Sequence, residues 1–129
     1  SIKFKKKLHN ISFKKFDINL EKKIKKYDIL LHLSKREGLP VSVMQCLSHG
    51  LPVICYDIRG NNDLIIDKFN GLFVKTYKEV PLKILYLNLE KQFFNDMSYN
   101  AIKSINKNFF RDQINLNLYK IITNFKFQK

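Results

Sequence analysis

The chain has 129 residues, and 24 Lys and Arg against 11 Asp and Glu give it a formal net charge of +13. That length suits about one small domain with its own core, and no apolar run approaches the roughly 20 residues of a membrane-spanning helix, nor does a signal-peptide pattern open the chain. A positive excess of this size is compatible with nucleic acid, an anionic membrane surface or a phosphorylated ligand, but the lysines alternate with Ile, Asn and Phe along almost the whole chain and no nucleic-acid recognition motif is present, so a compositional bias is the plainer account.

In chain order, residues 1–10 are basic, with Ile2, Phe4 and Leu8 spaced like the end of a helix and Lys5-Lys6-Lys7 reading as a solvated face. Residues 11–16 alternate β-branched, aromatic and basic residues over the length of a strand. Asp17 is placed to cap a short helix over 18–27, with Leu20 and Ile24 on its buried side. Residues 29–33 are almost continuously apolar, as a strand covered on both faces should be; His32 interrupts them and reads as a packed or rim residue. A turn holding Glu37, Gly38 and Pro40 leads into a helix over 41–49, with Val43, Met44 and Leu47 facing the core and Gly50 ending it. The next buried strand covers 52–56, followed by a polar loop over 57–62 and one helical turn over 63–66. Asn70-Gly71 then turns the chain into a last strand over 72–74.

From Glu79 the apolar period becomes helical. Val80, Ile84 and Leu87 share a face, with Leu85 and Leu89 beside them and Pro81 in the first turn. Phe94, Met97, Ala101 and Ile105 mark a second helix, and Asp112 opens a third with Ile114, Leu118, Ile121, Ile122 and Phe125 on its apolar side. Cys46 and Cys55 lack the paired spacing of a zinc or redox motif and read as buried free thiols of a reducing compartment. The expected class is α/β: a partial Rossmann-like parallel sheet of about four strands with flanking helices and a helical C-terminal tail.

Three segments follow one another in register: Glu37-Gly38-Leu39-Pro40, then Gly50-Leu51-Pro52-Val53-Ile54, then Ile58-Arg59-Gly60-Asn61-Asn62-Asp63-Leu64-Ile65. Together they resemble the donor-binding segment of glycosyltransferase family 4, the retaining, nucleotide-sugar-dependent enzymes of GT-B fold. Family members carry a second glutamate eight positions after the first; here that place holds Gln45. The resemblance implies that residues 1–129 form part of a nucleotide-sugar-binding domain, the C-terminal half of a GT-B fold, with the acceptor domain and the family's diphosphate-binding Lys and Arg upstream. Lys35 and Arg36 flank the turn without matching that pair.

Under this resemblance Glu37 is the catalytic residue, accepting hydrogen bonds from hydroxyls of the donor sugar. Gly38, Leu39, Pro40, Val41 and Ser42 wrap the sugar and diphosphate at the start of the helix, and Gln45 meets the ribose. A carboxylate suits a vicinal diol, and a helix N-terminus suits a phosphate. Glu37 taken alone would be a solvated loop acid. Gln45 equally fits a Ser42-x-x-Gln45 capping box with Ser42 as N-cap. Asp57, Arg59 and Asp63 read as loop and cap residues.

The implied activity is transfer of a sugar from a nucleotide-diphosphate donor, such as a UDP-sugar, to a hydroxyl acceptor on a glycan or lipid-linked sugar in polysaccharide or glycolipid synthesis. It calls for no cofactor and no metal. The lack of a spanning or signal segment gives a cytoplasmic location as the expectation, and the positive charge allows peripheral contact with the anionic inner face of the membrane. Two alternatives remain open: a truncated, non-catalytic descendant of such a domain, and a basic nucleic-acid-binding domain.

Overall fold

A computed structural model describes Ser12 and residues 19–109. The elements run α1 (Leu20–Ile24), β1 (Leu30–His32), α2 (Val41–Ser48), β2 (Val53–Tyr56), β3 (Gly71–Val74), a 3₁₀ turn (Tyr77–Glu79), α3 (Val80–Leu89) and α4 (Lys91–Phe109). The three strands form a parallel sheet in the order β1-β2-β3, with Leu30 opposite Val53 and Cys55 opposite Phe73. The expected strand over 11–16, apart from Ser12, and the expected third helix lie outside the described residues.

β2 is the centre of the core because its residues are apolar on both faces. Val53 and Cys55 look one way, into a cluster with Val43 and Leu47 of α2 and Ala101 of α4. Ile54 looks the other way and meets Leu72, Val74, Val80, Leu87 and Met97. The helix α4 joins the two layers, giving Met97 to one cluster and Ala101 to the other. Each fully buried side chain of this kind contributes at most about 1.5–3 kcal/mol.

The helix α2 ends in a Schellman motif. The N–H of Gly50 donates to Leu47 O and that of Leu51 to Cys46 O, both at 3.0 Å, while Gly50 takes φ +78°. Its carbonyl then accepts a 2.6 Å hydrogen bond from Ser98 Oγ, which fastens α2 to α4.

Four sequence expectations need correction. The strand β1, expected to be covered on both faces, leaves Leu31 exposed and Leu30 and His32 only half-buried. The first helix is five residues long rather than ten, starting after Asn19, which makes no side-chain cap. Lys22 repels Lys25 and Lys26, three and four positions on, across the turn that would have to continue the helix past Ile24. The helical turn expected over 63–66 sits earlier, where Asn61 O accepts the N–H groups of Leu64 and Ile65 at 3.0 and 2.7 Å. It stops there because Asn70 Oδ1 takes the Ile66 N–H at 2.8 Å. On α3, Val80 and Leu87 are buried as expected, but Ile84, Leu85 and Leu89 are exposed.

Candidate functional site

The strand β1 ends at His32, and the chain then loops over its carboxyl end before entering α2 at Val41. In open α/β sheets this is the side on which ligands bind. Pro40, with φ −75° and ψ 105°, occupies the N-cap position and supplies no side-chain cap. Ser42 is therefore the second residue of the helix, and the Ser42–Gln45 capping box does not form. The capping box that does form joins Thr76 to Glu79, whose Oε1 accepts the Thr76 N–H at 3.0 Å. The uncapped start of α2 leaves the N–H groups of Val41 and Ser42 without a partner among the described residues.

Glu37 is half-buried. Its Oε1 lies 3.1 Å from Nε2 of His32, whose side chain is only 13% exposed. The approach is out of line for a hydrogen bond, and Nε2 has no aligned partner among the described residues although it is shielded from water. His32 is thus packed, as its position in a strand implied, but its partner is the acid that the motif singles out. The signal available in sequence was its place at the carboxyl end of a strand, five residues before Glu37.

Around this pair, Pro40 is buried while Gly38, Leu39, Val41 and Ser42 are exposed. A β-carbon at Gly38 would meet nothing within 4 Å. Gln45 is half-buried and its side-chain amide makes no hydrogen bond among the described residues; its backbone carbonyl accepts Ser48 Oγ at 2.8 Å and lies 2.9 Å from His49 Nδ1. The loop after β2 closes on the turn, with Gly60 packed against the Gly38 carbonyl. Asn61 follows, fully buried; its Nδ2 donates to Tyr56 O at 3.0 Å, and its Oδ1 has no partner among the described residues. Sequence reasoning placed Asn61 only within a polar loop. Asp57, Arg59 and Asp63 are exposed, Asp57 accepting from Asn62 Nδ2 at 3.4 Å.

A cleft of about 540 Å³ opens at the carboxyl ends of β2 and β3, between Lys35, Tyr56, Asp57, Lys75 and Tyr77. It shares Lys35 with the Glu37 loop, while Glu37 itself, Gly38, Leu39, Pro40, Val41, Ser42 and Gln45 do not line it. The turn is therefore an open ledge beside the cleft. Among the described residues no group of three or more His, Cys, Asp or Glu side chains is placed to hold a metal.

Residues 1–104 match the family described as "Glycosyl transferases group 1". The trehalose synthase of Pyrococcus horikoshii is 32% identical over 82 residues, 64% of this chain and 20% of that protein. The UDP-Gal:alpha-D-GlcNAc-diphosphoundecaprenol alpha-1,3-galactosyltransferase of Escherichia coli is 27% identical over 97 residues, 65% of this chain and 24% of that protein. The chain thus spans between a fifth and a quarter of these relatives. Among solved structures, HepE of Anabaena, crystallised with UDP, superimposes with a TM-score of 0.78 at 18% identity, over 84% of this chain and 31% of that one. A three-stranded parallel sheet with flanking helices, a Glu37-Gly38-Leu39-Pro40 turn at its carboxyl edge and the family match lead to one conclusion: the chain belongs to the group 1 glycosyl transferases.

Proposed function

We propose that this chain supplies the donor-binding part of a retaining glycosyltransferase that moves a sugar from a UDP-sugar to a hydroxyl of a glycan or lipid-linked acceptor, at the inner face of a membrane. The observation that carries the reading is the half-buried Glu37 carboxylate beside an uncapped helix start. One group accepts hydrogen bonds from sugar hydroxyls, and the other donates N–H groups to a diphosphate. HepE, whose fold is similar, was crystallised with UDP, and with UDP-glucose in a second structure.

In this reading the acceptor oxygen attacks the anomeric carbon on the face from which the diphosphate departs, and the leaving phosphate oxygen takes the acceptor's proton. Glu37 orients the sugar, the Val41 and Ser42 N–H groups stabilise charge growing on the phosphate, and Gln45 meets the ribose. The nucleotide sugar is a substrate, and no cofactor enters.

A non-catalytic descendant is the second reading, favoured by one observation: Gln45 is neutral where the family resemblance expects an acid. Calorimetric titration of the intact protein with UDP-sugars, followed by single-turnover transfer or hydrolysis, tests both. Binding with turnover supports the enzyme, binding without turnover the descendant, and absence of binding contradicts both.

A further inference from the structure

The helix α3 is apolar on both sides. Val80 and Leu87 face the core. Leu82, Leu85, Tyr86 and Leu89, at spacings of three, four and seven, lie together on the opposite side and are 70%, 52%, 47% and 68% exposed. A helix apolar all round is normally covered by something.

The surroundings of this ridge say what covers it. Lys83 stands on the helix, Lys78 on the 3₁₀ turn that leads into it and Lys68 on the turn before β3, and none of the three has a carboxylate at ion-pair distance among the described residues. Lys68 and Lys83 border a groove of about 450 Å³ together with Leu72, Glu79, Leu82, Tyr86 and Phe93. Two of the nearby acids keep their charge but are turned to backbone rather than to these lysines: Glu79 accepts the Thr76 N–H, and Asp67 accepts the Phe73 N–H at 3.0 Å. Glu90, at the end of the helix, is exposed. We propose that α3 lays its leucine ridge into the surface of an anionic lipid bilayer, with the flanking ammonium groups among the headgroups.

A second copy of the chain is a poorer occupant. A symmetric contact would bring two sets of unpaired lysines together, and four side chains fall short of the roughly 800 Å² per partner of a stable interface. The inference gives a surface to the membrane contact of the proposed function, and it does not depend on the donor turn.

The test is flotation of the intact protein with vesicles of phosphatidylcholine alone and of phosphatidylcholine mixed with phosphatidylglycerol. Binding to the anionic vesicles is expected to be at least about tenfold tighter. It should be abolished in a Leu82→Ser, Leu85→Ser, Leu89→Ser variant and weakened in a Lys68→Gln, Lys83→Gln variant. As a reporter that leaves the three leucines intact, Tyr86→Trp exploits the absence of tryptophan from this chain; the indole emission should shift to the blue on vesicle binding and be quenched by brominated lipid. Three results would each overturn the proposal: equal binding by the triple leucine variant, indole emission from the Tyr86→Trp protein that neither shifts nor is quenched, or a dimer that the triple variant dissolves without any vesicle binding. Titrating the same triple variant with UDP separates the two readings, since loss of vesicle binding should leave nucleotide affinity unchanged.

Discussion

Gly60, at φ +89°, is seated against the carbonyl of Gly38 so closely that a β-carbon there would overlap the oxygen. The loop after β2 thereby braces the turn that carries Glu37, and two segments about twenty residues apart form one ledge. The contact is asymmetric, because a β-carbon on Gly38 would enter open space.

The two glycines should therefore respond differently to alanine. Gly60→Ala combines a left-handed backbone with a clash against main chain, and is expected to cost about 2–4 kcal/mol in urea unfolding. Gly38→Ala should leave stability within about 0.5 kcal/mol, while weakening UDP-sugar binding by occupying the ledge. Equal losses of stability would show that the bracing contact is not as described.

Asn70 ties the loop between β2 and β3 to α4. It is fully buried, donates through Nδ2 to Leu64 O at 2.9 Å and Ser104 Oγ at 3.0 Å, and accepts the Ile66 N–H. Asn70→Ala removes three bonds and strands the Ile66 N–H, so the expected loss is about 2–3 kcal/mol by chemical denaturation. Ser104→Ala should cost about 1 kcal/mol or less.

The thiols give a pH signature. Burial, followed by the charges of Asp57 and Asp67, pushes Cys55 up from 9.0 to about 12, and burial also raises Cys46. Below the ordinary thiol value both folded and unfolded chains hold the proton, so the contribution to stability is complete there. As pH climbs from 9.0 towards about 12 the unfolded chain ionises first, and stability falls. Cys55→Ala should flatten that decline in melting curves taken across this range, and native Cys55 should react with a thiol reagent at neutral pH only as fast as the protein opens.

Gln45 offers a gain-of-function test. Its side-chain amide is not engaged by the described residues, so Gln45→Glu changes the charge presented to a ligand without breaking a cap. If it meets the ribose, the charge-assisted hydrogen bonds should tighten UDP binding by about tenfold. Unchanged affinity would place Gln45 outside the donor site.

Much of this was legible in sequence because the residues act locally. The apolar run at 53–56, the Gly50 stop and the Glu37-Gly38-Leu39-Pro40 turn each declare their conformation within a few positions. The same local logic misled at Ser42, whose capping pattern lost to Pro40 two positions earlier, and at the turn near 63, where the Asn70 side chain takes the next N–H. The pairing of His32 with Glu37 and the exposed ridge of α3 depend on what lies across the fold, which apolar periodicity does not record.

The central claim is that the Glu37 carboxylate receives donor-sugar hydroxyls. The most direct measurement is calorimetric titration of the intact protein with UDP-glucose and with UDP alone, for wild type and for Glu37→Gln. A loss of about tenfold or more is expected for the sugar nucleotide, with UDP alone little affected. Identical UDP-glucose affinities in the two proteins would contradict it.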